Sequence, residues 1–434
     1  MRINQERIGS RCLLALAGVL LIAIPSYPAM AQATASLSTP MPNAATSIGC
    51  APSNNGTGHL VCGQFVGGAF TGVSWQAPAP PGGTLPNRPG IETSGKVDHT
   101  TTVSFAGQTP SAPSCGPAND GSGSAVCMVT TRSTDGSANF FGVSFYPPTS
   151  AAPSPTLSLF STVAGATVSQ PACTSAGAAI NGHGVALCVL TTNGELVAIA
   201  FEPFSGTKTA VFLLSNPANF VGNPSCSSGG FNTTSMCAIQ QGSGLSGFAV
   251  GYNPTANTVG LSAPITPLGS PSQPLADSAH SLSCAVPGND PAPPIDIATY
   301  PVTCAILGQA PQSTPFLKPL LGITFDLTTT NTGYMPLGSS SGASVSCTAP
   351  NVAGSSEVAC VALNLITTTS GLYAIKFDPR TKQQSPIEGP FPVSNGIDIS
   401  CITLAIDANQ ITCGVTTTSG RTLGTEGVNI SFNP

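Results

Sequence analysis

Fourteen of the fifteen cysteines in this chain fall into seven couples, and their spacing restricts the fold more than any other feature of the sequence. The couples are Cys50 with Cys62, Cys115 with Cys127, Cys173 with Cys188, Cys226 with Cys237, Cys284 with Cys304, Cys347 with Cys360, and Cys401 with Cys413. Partners lie 11 to 20 residues apart, and successive second cysteines lie 49 to 67 residues apart. A fixed period of this size marks a repeat architecture. An even number of cysteines fits disulfide pairing in an oxidising compartment. Between partners lie turn-forming residues, as in Asn54-Asn55-Gly56, Asn119-Asp120-Gly121 and Asn181-Gly182. Repetition of the couple therefore implies one staple per hairpin of adjacent antiparallel strands, where cross-strand neighbours are close enough for a disulfide.

A second landmark follows each couple. Thirteen to twenty-one residues after the second cysteine comes an aromatic: Trp75, Phe145, Phe201, Tyr252, Phe325, Phe377 and Phe432. Two residues before it stands a β-branched aliphatic every time: Val73, Val143, Ile199, Val250, Ile323, Ile375 and Ile430. The intervening positions are mostly small, such as Gly72, Ser74, Gly142, Ala198 and Ala200. This period of two is the signature of a strand with one bulky face and one face made for close sheet packing. A polar residue and often a proline come next, as in Glu202-Pro203, Asn253-Pro254 and Asp378-Pro379, which reads as a turn. The second cysteine also sits in a strand, because the residue two positions on is apolar in six of seven repeats and is Gln64 in the other. A further strand precedes the next couple, as in Val211-Phe212-Leu213-Leu214 and Thr156-Leu157-Ser158-Leu159-Phe160. Each unit thus reads as cysteine strand, cysteine strand, aromatic strand and outer strand.

The last repeat stops at Phe432-Asn433-Pro434 without an outer strand, whereas the segment Ala35-Ser36-Leu37-Ser38-Thr39-Pro40 has no repeat of its own. Residues 33–40 are therefore predicted to complete the sheet that holds Cys401 and Cys413, which removes an exposed edge. The expected fold class is all-β: a seven-bladed β-propeller with one disulfide per blade, closed by an N-terminal strand. Immunoglobulin-like sandwiches need about 100 residues per domain, and a solenoid needs shorter rungs. Disorder, suggested by 48 Gly and 41 Pro, conflicts with a hydrophobic fraction of 41% that is also periodic. The repeat, with its Pro113-Ser114-Cys115 and Pro224-Ser225-Cys226 starts and its short aromatic strand, resembles those of secreted bacterial seven-bladed lectin-type propellers. The resemblance spans nearly all of residues 32–434 and concerns architecture. Trp75, the only tryptophan, falls in register at a core position.

The first 31 residues have the layout of an export signal. Arg2, Arg7 and Arg11 form a basic start, Cys12 to Ile24 an apolar stretch, and Ala29-Met30-Ala31 a cleavage site before Gln32. The apolar stretch is short for a membrane span, and an uncleaved anchor is the alternative. Cys12 would leave with the signal. The expected organisation is a signal at 1–31 and one propeller domain at 32–434, secreted or periplasmic, without stable membrane insertion.

Charged residues make up 7% of the chain, against about 25% in ordinary soluble domains. Without residues 1–31 the net charge is about −7, from nine basic and sixteen acidic residues. Nucleic-acid binding needs clustered Lys and Arg, so it is not expected. Four histidines occur, and His59 and His183 fall in equivalent turns of two repeats, where they read as exposed turn residues first and as rim-metal ligands second; the spacing fits no zinc motif. Asp98-His99 reads as a linker pair, and Asp120-Gly121-Ser122-Gly123 lacks the spaced acids of a calcium loop. Glu202, Asp326 and Asp378 recur just after the aromatic, a position for local capping. No nucleophile elbow, phosphate loop or dinucleotide fingerprint is present. Asn55, Asn232 and Asn429 begin glycosylation sequons. The longest insertion, Pro287 to Tyr300, reads first as packing-neutral decoration and is the first place to look for specificity, because insertions between strands form rim loops. The sequence assigns no catalytic, cofactor or metal residue. It points first to a secreted non-catalytic binding module with a glycan or a surface protein as partner. Second comes a structural or interaction protein of the cell envelope, and third an enzyme with its site at a central channel.

Overall fold

The chain is described by a computed structural model over residues 34–35, 39–41, 47–52, 59–66, 69–76, 96–104, 108–117, 125–133, 138–145, 156–163, 167–180, 183–202, 207–214, 220–228, 234–269, 281–287, 300–309, 318–328, 331–342, 344–349, 357–364, 371–391, 393, 395–403, 410–419 and 422–431. Every regular element among them is a β-strand, and the strands form seven antiparallel sheets of four or five strands. Sheet 3 is typical. Ala172–Ile180, His183–Thr192, Glu195–Glu202 and Thr207–Leu214 follow one another in sequence and in space. This is the predicted order of cysteine, cysteine, aromatic and outer strand. Radially repeated meanders of this kind are β-propeller architecture.

The inner strands, which carry the first cysteines, are Ile48–Pro52, Ser114–Pro117, Ala172–Ile180, Phe220–Ser227, Leu282–Ala285, Val345–Thr348 and Gly396–Thr403, in sheets 1 to 7. Each lies against the inner strand of the following sheet, and that of sheet 7 lies against that of sheet 1. All seven cysteine couples are bonded. Each couple is also directly opposed in its ladder, which makes every bridge a local cross-strand staple.

The bulky face of the aromatic strand makes the core. Val73, Val143, Ile199, Val250, Ile323, Ile375 and Ile430 are all 0% exposed, and Trp75, Phe201, Tyr252, Phe325 and Phe377 are buried with them. The small face receives the aromatic of the next sheet. A Cβ at Gly322 in sheet 5 would lie 2.6 Å from the Phe377 ring of sheet 6. One at Gly427 in sheet 7 would lie 2.6 Å from the Trp75 indole of sheet 1. No side chain fits at such a distance, so these positions require glycine for close approach.

The outer edge of sheet 7 is supplied from the N-terminus. Thr34–Ala35 pairs with Ile430 and Ser431, and Thr39–Met41 pairs with Thr425 to Gly427. The donated segment is thus two short strands rather than one, and it extends one residue past the predicted 33–40. Sheet 6 also departs from a plain meander. Its outer edge is split into Gln383–Gln384 and Glu388–Phe391, with a cis peptide before Pro390. Asp98 and His99, expected in a linker, lie inside the outer strand Lys96–Ser104, where His99 opposes Ser74. The β-branched run Val97, Thr100, Thr101, Thr102 and Val103 outweighs the two polar residues. His59 and His183 are the first residues of cysteine strands rather than turn residues. The remaining histidine, His280, the segments 53–58, 118–124 and 181–182, and most of the 287–300 insertion lie outside the described residues. So do residues 1–33, Asn232 and Phe432.

Candidate functional site

An inner strand at the axis of radiating sheets is an edge strand. Its second row of N–H groups faces away from its own sheet, and an unpaired buried N–H costs roughly 1–3 kcal/mol. Here the residue before the first cysteine meets that need. The backbone N–H of Cys50 donates to Ser400 Oγ at 2.9 Å, from sheet 1 to sheet 7. Cys173 donates to Ser114 at 2.8 Å, Cys284 to Ser225 at 2.9 Å, Cys347 to Ser283 at 2.8 Å and Cys401 to Ser346 at 2.8 Å. Each bond joins neighbouring sheets. Serine precedes the first cysteine in five of the seven repeats, and the exceptions are Gly49 and Ala172. At Gly49 a Cβ would lie within 2.2 Å of the Pro113 carbonyl oxygen, so the backbones themselves fill the space a serine would need.

A second layer lies three residues before the first cysteine. Asp398 is 6% exposed and serves three sheets. Its Oδ2 accepts the Ile48 N–H of sheet 1 at 3.1 Å, and its Oδ1 accepts the Ser344 hydroxyl beside sheet 6 at 3.0 Å and its own neighbour Ile399 N–H at 2.9 Å. Asn223 does the same between sheets 4 and 3, with its Oδ1 accepting the Gln170 N–H at 2.8 Å. Asp398→Ala is expected to lower stability by about 3 kcal/mol, because it strands a buried N–H and a buried hydroxyl. Asp398→Asn, which keeps an acceptor oxygen, is expected to cost less. Urea denaturation measures both; an unchanged midpoint for the alanine variant would remove Asp398 from the inter-sheet joint.

These residues surround the candidate site. The short segments leading into the first cysteines of all seven sheets line a cavity of about 150 Å³. Its walls include serines, prolines, cysteines, the apolar Leu282, Val345 and Ile399, and the amides of Gln170 and Asn223. Among the described residues, none that lines it is Asp, Glu, His, Lys or Arg. The serine hydroxyls, amides and backbone groups of this wall can accept and donate hydrogen bonds. The perturbed ionisable groups lie elsewhere. Burial pushes the Tyr334 phenol up to about 12, and its hydroxyl donates to the Gly269 carbonyl of sheet 4. Burial lowers Lys376, against the opposing pull of Glu357 and Glu388.

The other described residues singled out from sequence lie on separate strands and turns. His59, His99 and His183 start or lie within three different strands, and no cluster of metal-binding side chains occurs among the described residues. Asp326 and Asp378 are local caps: Asp326 Oδ1 accepts the Thr328 N–H at 2.9 Å and Asp378 Oδ1 accepts the Arg380 N–H at 2.9 Å. Asn253 repeats the device after Tyr252. Glu202 is buried at the end of its strand. The sequence reading missed Asp398 and assigned no role to the serines. Both left a signal: serine recurs before the first cysteine, and a polar residue stands three before it in six of seven repeats.

No family model matches the sequence, and no curated protein does. Solved structures similar to the chain include a protein of unknown function from Dyadobacter fermentans, with a TM-score of 0.45 and 10% identity over 76% of this chain and 96% of that one. The Dos1 propeller has a TM-score of 0.43 and 10% identity over 87% and 76%. The polysaccharide lyase Uly1 has a TM-score of 0.43 and 7% identity over 86% and 88%. Likeness at this level says nothing of ligand or chemistry.

Proposed function

We propose that this chain is an exported, non-catalytic binding module, carried on a seven-bladed propeller and directed at a glycan or another cell-surface molecule. The observation that supports it most is the channel wall, to which all seven sheets contribute and whose described residues present serine hydroxyls, the Gln170 and Asn223 amides and backbone groups for hydrogen bonding. Closure of the seven sheets as seven blades is supported by the neighbouring inner strands of sheets 7 and 1, by Trp75 against Gly427, and by the N-terminal strands on sheet 7. Seven disulfides fit an oxidising extracellular or periplasmic setting. Residues 1–31 act as the export signal in this reading, and no helix among the described residues is long and apolar enough to cross a membrane. The test has two parts. Expressed from Met1 in a Gram-negative host, the protein is expected in the periplasm or medium with a mass that starts at Gln32. Purified protein is then expected to bind on a glycan array or in a pull-down on cell-surface material. Retention in the cytoplasm, or no binding to either surface, would overturn the proposal.

A further inference from the structure

The inner strand of sheet 4 departs from its ladder at the channel mouth. Val221 opposes Gln240 and Ser225 opposes Ala238, so three residues on one strand face a single residue, Ile239, on the other. Gly222 makes the kink with a φ of +80°, a conformation that glycine adopts without strain. Bulges of this kind re-aim side chains and concentrate beside functional sites. This one does two things. It leaves Val221 50% exposed, the most exposed large hydrophobic among the described residues. It also carries Asn223 across to the Gln170 backbone of sheet 3.

Backbone pairing brings segments with uncharged amide residues alongside Val221. The Phe220 N–H donates to the Gly194 carbonyl, which brings the Asn193-Gly194 turn of sheet 3 alongside. Gln240 lies opposite Val221 in the ladder. The Gln170 side-chain amide has no partner among the described residues, and the exposed Asn193 uses only its Oδ1, towards the Thr167 N–H. Among the described residues the patch therefore offers one apolar platform, several uncommitted donors and acceptors, and no charge. An anionic or cationic ligand would find no counter-charge among them. A ligand with an apolar ring face and many hydroxyls would match both features.

Building on the binding-module reading, we infer that the bulge over sheets 3 and 4, with Val221, Gln170, Asn193 and Gln240, is a binding site for an uncharged, hydroxyl-rich ligand. A neutral oligosaccharide is the chemical class it fits. This places recognition on the bulge rather than on the 287–300 insertion.

The test uses the full chain on an array of uncharged and acidic oligosaccharides, followed by titration calorimetry with the strongest uncharged binder. Val221→Asp, Gln170→Ala and, on the distant sheet 6 turn, Arg380→Ala are compared with wild type after matching melting curves. Val221→Asp is expected to weaken binding at least roughly tenfold and Gln170→Ala roughly fivefold, the factor for one net hydrogen bond. Arg380→Ala is expected to bind as wild type does. If wild type binds neutral sugars and the Val221 and Gln170 variants bind within twofold of it, the bulge is not the site, while the binding-module reading stands. Binding confined to acidic sugars overturns the neutral-ligand assignment. If wild type binds nothing on the array and nothing on cell-surface material, the broader reading falls and this inference falls with it.

Discussion

Denatured in urea with dithiothreitol and then freed of urea while still reduced, the protein is expected to remain unfolded, whereas an oxidised control treated in parallel recovers its β-sheet circular dichroism. The reason is cumulative. Each disulfide closes a loop with a sequence separation of 11 to 20. Chain entropy assigns each such loop roughly 3 kcal/mol. Seven of them amount to roughly 20 kcal/mol, more than the 5–15 kcal/mol by which whole domains are usually stable. Native protein should resist the same reductant without urea, because the second cysteine of every couple is 0% exposed. A reduced chain that regained the oxidised spectrum and melting temperature would show that the inter-sheet packing suffices without the staples.

Removal of the N-terminal strands is expected to have the next largest effect. A protein beginning at Ala45 loses five ladder positions on the last strand of sheet 7: Thr34, Ala35, Thr39, Pro40 and Met41. At about 1 kcal/mol net for each position, the loss is roughly 5 kcal/mol. With an unfolding entropy of about 2.1 cal/mol/K per residue over some 400 residues, the melting temperature falls by roughly 6 °C. Trp75 of sheet 1 offers a local readout, since it is the only tryptophan and its indole packs on Gly427 of sheet 7. Its emission is expected to move to longer wavelength in the shortened protein well below the global melt. An unchanged melting temperature would separate residues 34–41 from the stability of the ring.

Asp398 and the N-terminal strands act on the same sheet. Asp398 holds the inner strand of sheet 7 to Ile48 of sheet 1, and Thr34–Ala35 and Thr39–Met41 cover the aromatic strand of sheet 7 at its other edge. The two act on opposite edges of one sheet with no shared partner, so Asp398→Ala combined with the N-terminal truncation is expected to give about the sum of the single effects.

The sequence by itself determined everything that repeats. The cysteine couples and the β-branched residue two before the aromatic recur seven times, the residues between are mostly small, and each recurrence constrains one sheet. Local chemistry fixed these features, since strand alternation, turn residues and hairpin staples are written within a few tens of residues. The caps at Asp326 and Asp378 were legible for the same reason. What the tertiary structure alone decided is what joins one repeat to another. That Ser400 meets Cys50, that Asp398 meets Ile48 and that Gly427 meets Trp75 are contacts across some 350 residues, and no local pattern encodes them. The bulge at Gly222 was hidden for a different reason. A glycine beside a valine reads as an ordinary interruption until the ladder shows which residues it displaces and the neighbouring sheet shows what they then face.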